Sequence, residues 1–276
     1  MTDDQTANVA ADPDAYQHLR VERRGPTAFV TLARPDVRNA FNARLIAELH
    51  AVFTRLAAEE DLRAIVLRGE GRTFCAGADL TWMRDSLDFT HEENVADARR
   101  MAAMFQAIDD CPCPVIGRIQ GAALGGGAGL AAVCDLVIAA DDTRFGFTEA
   151  RLGIAPAVIA PVAVRKIGES HARALFTTAE RFDAAHALRI GLVHRVVPAA
   201  DLDAAVDKTL AEIGKNGPAA VRAAKRMARQ VGHLAPDEAL RLTTETIAGL
   251  RVSPEGQEGI RAFLEKRTAS WVTDDV

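Results

Sequence analysis

Residues 121–130 read Gly-Ala-Ala-Leu-Gly-Gly-Gly-Ala-Gly-Leu, directly after a strand-like run, Pro114 to Gln120, and ahead of an Ala-rich helical stretch. Glycine loses more conformational freedom on folding than any other residue, so a cluster of it at a strand-to-helix junction needs a reason. Tight packing is the plain one. The other is a ligand that approaches the backbone closely, at a place where free N–H groups and a helix N-terminus favour negative charge. A dinucleotide site is a third candidate, because Gly127-x-Gly129-x-x-Ala132 fits the G-x-G-x-x-A pattern. That match begins well past the strand end, and the acidic pair Asp141-Asp142 follows too early, so the spacing argues against it.

A second small-residue stretch, Phe74-Cys75-Ala76-Gly77-Ala78-Asp79, lies between another strand and another helix. Two such loops facing each other would build a two-donor oxyanion hole. The surrounding pattern predicts short strands at 19–24, 27–32, 63–68, 114–120 and 135–140. Helices are expected after the N-cap Asn42, where Leu45, Ile46, Leu49, Val52, Phe53 and Leu56 keep helical spacing, and over about 92–109. This is an α/β core with strands in β-β-α order rather than strict βα alternation. Beyond about residue 155 only 192–197 reads as a strand, and helices are expected near 200–213, 219–230, 236–250 and 254–268. We divide the chain into a flexible lead-in at 1–15, an α/β core at 16–199 and a helical region at 200–276.

A chain of 276 residues with 49% hydrophobic and 26% charged residues has ample material for a buried core. Its net charge of -5 argues against a nucleic-acid partner. No apolar run reaches membrane-span length and the acidic start lacks a signal core, so a cytoplasmic protein is expected. No metal site is expected, since His91-Glu92-Glu93-Asn94-Val95 lacks the second histidine of H-E-x-x-H. There is no G-x-S-x-G nucleophile motif. The four cysteines (Cys75, Cys111, Cys113, Cys134) are expected to be buried and reduced.

Taken together, residues 74–79, Ile119 through Gly127, Cys134-Asp135-Leu136, Phe145 to Glu149 with Leu152-Gly153-Ile154, and Phe263 to Arg267 resemble the enoyl-CoA hydratase/isomerase (crotonase) family. The resemblance spans about residues 19–270. It implies a crotonase-like spiral of β-β-α turns with a helical C-terminal trimerisation region, hence a homotrimer or dimer of trimers. It also implies an acyl-CoA substrate and no separate cofactor, coenzyme A being part of the substrate. By position, Ala78 and Gly126 would supply the oxyanion N–H groups and Glu149 the catalytic carboxyl. Ala76, Asp79 and Leu80 would line the coenzyme-A channel, with Gly125 and Gly129 as further substrate-side positions. Phe263 and Lys266 would reach the nucleotide end of a neighbouring subunit's ligand.

One position departs from the family pattern. Hydratases of this family usually carry a second glutamate in the helix after the Gly-rich loop, and this chain has Gly129 there. The lone Glu149 would then have to move every proton, which requires a raised pKa in an apolar site. Residues 76–83, 91–94, 155–161 and 178–182 resemble bacterial methylglutaconyl-CoA hydratases of leucine breakdown, whose substrate carries a second carboxylate. On that reading Gly129 relieves a clash between like charges, and Arg84 and Arg151 are candidates to bind the extra carboxylate. Two alternatives stand beside hydration: an enoyl-CoA double-bond isomerase, and a non-catalytic CoA- or RNA-binding member of the family.

Overall fold

A computed structural model describes residues 16–272, so the expected lead-in at 1–15 lies outside the described residues. Strands β1 (Leu19–Arg24) and β2 (Thr27–Leu32) form an antiparallel hairpin. Helix α1 (Ala43–Ala57) starts at Asn42, whose side chain accepts from the Leu45 N–H at 2.9 Å, and it buries the apolar stripe read from its spacing. Then come β3 (Ala64–Gly69), α2 (Leu80–Asp85), α3 (His91–Asp109), β4 (Val115–Ile119), β5 (Ala122–Leu124), α4 (Gly126–Val133), β6 (Leu136–Ala140) and β7 (Arg144–Gly146). The chain continues as α5 (Ala160–Thr178), β8 (Arg181–Asp183), α6 (Ala184–Arg189), β9 (Arg195–Val197), α7 (Leu202–Gly214), α8 (Pro218–Gln230), α9 (Pro236–Val252) and α10 (Pro254–Leu264).

The strands divide between two sheets, and the division creates the spiral. The larger sheet runs β1-β2-β3-β4-β6-β9, parallel from β2 onward; the smaller runs β5-β7-β8. Each turn places one strand in the large sheet, a short one in the small sheet, and then a helix: β4, β5, α4, followed by β6, β7, α5. An isolated bridge between Cys75 and Ala123 continues this layout one turn earlier, after β3. The large sheet is covered on both faces. One face meets α1, α3 and α4; the other packs Phe29, Val66, Ile116 and Ile138 against Leu202, Val206 and Leu210 of α7. Burial on both faces explains why β3 is apolar without alternation.

The small sheet, α5 and α6 went unread in the sequence. Three-residue strands are too short to show a period, and α5 is interrupted at Gly168, whose φ of +76° is not helical. The C-terminal helices differ in packing: α10 buries Ala262 and is tied to α8 through Glu255, which accepts from the Ala219 and Ala220 N–H groups, while α9 is left uncovered. No residue of α9 is buried, and Leu240, Ile247, Phe263 and Leu264 are exposed. No helix among the described residues is long and apolar enough to cross a membrane.

Candidate active site

The two small-residue loops meet at the open ends of the parallel strands. The Cys75 N–H donates to the Ala122 carbonyl at 3.0 Å and the Leu124 N–H returns a bond to the Cys75 carbonyl at 3.0 Å, so the loops are stitched side by side. Gly77 is required at this seam. Its φ is +98°, and a Cβ there would sit 3.0 Å from the Leu124 carbonyl oxygen.

The direction of each proposed donor follows from the peptide unit that carries it. In a trans peptide the N–H points opposite to the C=O. The Gly77 carbonyl accepts from the Phe41 N–H at 2.7 Å, so the Ala78 N–H of the same unit is turned the other way. The Gly125 carbonyl accepts from the Gly129 N–H at 3.1 Å, so the Gly126 N–H points out of the α4 N-terminus. Among the described residues no acceptor takes either N–H. Ala78 is exposed and Gly126 half-buried, as a pair awaiting an outside oxygen would be.

Glu149 opens a short 3-10 turn just after β7, which the Gly125 N–H joins to the 121–130 loop by donating to the Gly146 carbonyl at 2.8 Å. Its Oε1 lies 3.2 Å from where a Cβ on Gly125 would be, one residue from the Gly126 donor. Its Oε2 is buried with no hydrogen-bond partner among the described residues. Burial raises the carboxyl pKa above the ordinary glutamate value, with a smaller opposing pull from its own backbone N–H. Phe145 and Phe147 are fully buried beside it, whereas Leu152 and Ile154 are more than half exposed.

A family model described as Enoyl-CoA hydratase/isomerase matches residues 22–274. The chain belongs to the enoyl-CoA hydratase/isomerase family. It is 32% identical to a putative enoyl-CoA hydratase of Thermus thermophilus over 249 residues, 90% of this chain and 98% of the relative. A solved structure of a putative enoyl-CoA hydratase/isomerase from Legionella pneumophila shares 42% identity and superposes with a TM-score of 0.87, covering 92% of this chain and 98% of the other. An enoyl-CoA hydratase from Shewanella pealeana gives 36% identity and a TM-score of 0.89 over 94% of this chain and 97% of its own.

Within this enoyl-CoA hydratase/isomerase fold the remaining expected positions separate. Ala76, Gly125 and Glu149 gather around the two donors. Leu80 is 78% exposed at the start of α2, beside them. Asp79 is committed locally. Its carboxylate caps α2 by accepting from the Thr81 N–H at 2.8 Å and pairs with Arg34 at 2.7 Å. Burial pushes that carboxyl up, but the Arg34 and Thr81 hydrogen bonds outweigh it and hold the group below the usual carboxylate range. Phe263 is 83% exposed on α10 and Lys266 follows the helix with a φ of +56°; within one chain neither is joined to the two loops by a hydrogen bond.

Gly129 has a packing reason of its own. A Cβ at Gly129 would lie 2.4 Å from Ile159 Cγ2 and 3.0 Å from Phe105 Cζ, and Gly129 is buried. Any side chain at 129 would meet these apolar groups from its first carbon. Arg84 is exposed on α2, and Arg151 spends its Nε on the Ala179 carbonyl at 3.0 Å. The cysteines are free and buried, and burial pushes the Cys75 thiol up to about 12, so it is no nucleophile despite its place in the 74–79 loop.

Sequence reasoning missed Phe41. Its N–H orients the Ala78 peptide, and its fully buried ring lies against Gly126, where an added Cβ would meet Cε2 at 2.8 Å. It therefore touches both donors. The only local signal was an aromatic residue just ahead of the Asn42 cap.

Proposed function

We propose that this protein interconverts an enoyl-CoA thioester and its 3-hydroxyacyl-CoA hydrate, with Glu149 as the sole proton carrier. The observation that carries this is the juxtaposition of two unpartnered N–H groups with one half-buried carboxyl whose Oε2 is buried and unpaired. As water adds to Cβ, the electrons of the double bond move toward the thioester oxygen, and the Ala78 and Gly126 N–H groups stabilise that enolate charge. Neutral Glu149 gives its proton to Cα while its other oxygen takes the proton that water loses, so the carboxyl ends as it began. The finer reading is a branched acyl group such as 3-methylglutaconyl. Its support is the likeness of residues 76–83, 91–94, 155–161 and 178–182 to hydratases of that type. Purified protein assayed on a panel of enoyl-CoA thioesters, by loss of enoyl absorbance, tests both. Turnover of 3-methylglutaconyl-CoA at least about tenfold above crotonyl-CoA is expected, roughly the discrimination one well-filled pocket provides. Better turnover of crotonyl-CoA would sink the branched reading alone.

A double-bond isomerase is the second reading, favoured by the absence of a carboxyl at Gly129. The pH profile separates the two. Burial keeps Glu149 neutral to higher pH than an exposed glutamate. Hydration as written starts from that neutral form. So kcat/KM should hold on the acid side and fall about tenfold per pH unit above the raised pKa. Isomerisation starts from the carboxylate and should show the opposite limb, activity lost as pH drops below the same point.

The C-terminal region is read as an oligomerisation element forming a trimer or dimer of trimers, because α9 buries nothing in a single chain. Light scattering at micromolar concentration should give a mass of three or six chains; a stable monomer would refute it.

A further inference from the structure

The peptide that carries the Ala78 N–H is one link in a longer chain. Its carbonyl accepts from Phe41 N–H at 2.7 Å. That N–H belongs to the peptide whose carbonyl is on Ala40, and the Ala40 carbonyl accepts from Arg34 Nη1. The guanidinium is held from its other side as well, Nη2 donating to Asp79 Oδ2 at 2.7 Å, with the Arg34 side chain only 13% exposed. Arg34 to Ala40 carbonyl, Phe41 N–H to Gly77 carbonyl, Ala78 N–H to open space: the series begins on a permanent cation and ends on a free donor.

Such a series does two things. Each bond fixes the plane of the next peptide, since N–H and C=O of one unit are antiparallel. Each also polarises the next, because a carbonyl that accepts a hydrogen bond makes the N–H of its own peptide a stronger donor. The intervening segment is braced for the purpose. Asn39 is fully buried at a φ of +55°, accepts from the Arg34 N–H at 2.8 Å, and donates to the Glu70 and Thr73 carbonyls at 2.9 and 2.7 Å. The Ala76 N–H donates to the Arg38 carbonyl at 3.0 Å, closing the segment onto the 74–79 loop. The Gly126 donor has no comparable cation behind it: the Gly125 carbonyl accepts from a backbone N–H within α4.

We infer that Arg34 is a positioning residue of the oxyanion hole, aiming and polarising the Ala78 N–H through two peptide units. This rests on the reading of Ala78 and Gly126 as the thioester-oxygen donors. A purely structural Arg34 would hold the loop together and affect stability or substrate binding. It would not change how strongly a bound carbonyl is polarised.

The test uses butyryl-CoA labelled with carbon-13 at the thioester carbonyl, which has no double bond to react. The C=O stretch of the bound ligand is measured by difference infrared spectroscopy in the wild type, Arg34→Gln and Arg34→Lys, beside kcat and KM on the best enoyl-CoA of the panel. Binding to the wild type should lower the stretch relative to free ligand. Arg34→Gln should lose part of that shift and about tenfold in kcat, with KM within about twofold, a fraction of the effect of removing a donor outright. Arg34→Lys, a cation without the fork to hold both acceptors, should fall between. An Arg34→Gln protein with full shift and full kcat overturns the inference, as does one whose KM rises while kcat holds. If Arg34→Gln does not fold, an Arg34→Lys protein unchanged in both readouts overturns it. A wild type that shows no shift at all refutes the oxyanion reading itself, whatever Arg34 does.

Discussion

Replacing Glu149 by glutamine is expected to lower turnover by about two to four powers of ten while leaving CoA-thioester affinity nearly unchanged, the range of a general acid–base contribution. The substitution keeps the size of the side chain and removes its transferable proton. Residue 129, the position of a second glutamate in the family pattern, is glycine packed against Ile159 and Phe105, and the Asp79 carboxylate is held by Arg34. Stability should not suffer. Oε2 has no partner to lose, and burial already disfavours the ionised form. A carboxyl whose folded-state pKa is raised binds its proton more tightly in the native state. The wild type therefore loses stability as pH rises from the unfolded value to the raised one, and the glutamine variant should lack that loss. Single-turnover kinetics and thermal melts at pH 5 and pH 8 read both effects. Full activity in a folded Glu149→Gln protein would place the proton carrier elsewhere.

Gly126→Val should cost about a hundredfold or more in kcat, the scale for losing one oxyanion donor, and the structure gives a reason to expect the upper side of that. The first added carbon would sit 2.8 and 2.9 Å from Cε2 and Cδ2 of Phe41, so the ring must move. Phe41 also donates the backbone bond that turns the Ala78 N–H toward the site. Displacing it disturbs the second donor along with the first. Circular dichroism should show a folded protein, since α1, anchored by Asn42 and its buried stripe, lies beyond the perturbed contact. A folded Gly126→Val enzyme with kcat near wild type would remove both loops from the catalytic assignment.

Glycine at 126 and glycine at 129 look equivalent in the sequence, yet they serve different ends. Gly126 leaves room for the Phe41 ring while presenting a free N–H. Gly129 is buried and makes way for Ile159, a residue of the loop ahead of α5. The resemblance to hydratases drew attention to position 129 and to substrate charge there; the packing reason for glycine, Ile159 and Phe105 lying across from it, shows only in three dimensions. Asp79 is a similar case. Read as a channel residue, it is held by Arg34 and by the start of α2.

What the sequence alone determined is whatever a stretch of neighbours can express. The cap at Asn42, the 3.6-residue stripe of α1, the continuous apolar run of β3 and the two small-residue loops each declare themselves within a few residues, because propensity and periodicity act along the chain. Glu149 was singled out only through the family resemblance of its Phe-Gly segment. The tertiary structure alone decided where the donors point. The Ala78 N–H is aimed by Phe41 and, behind it, by Arg34, residues from an earlier turn of the spiral, and the small sheet exists only where β5 and β7 are brought side by side. A hydrogen bond's direction depends on its partner's position in space, and a three-residue strand gains stability only from the strand beside it, so neither leaves a local pattern to read.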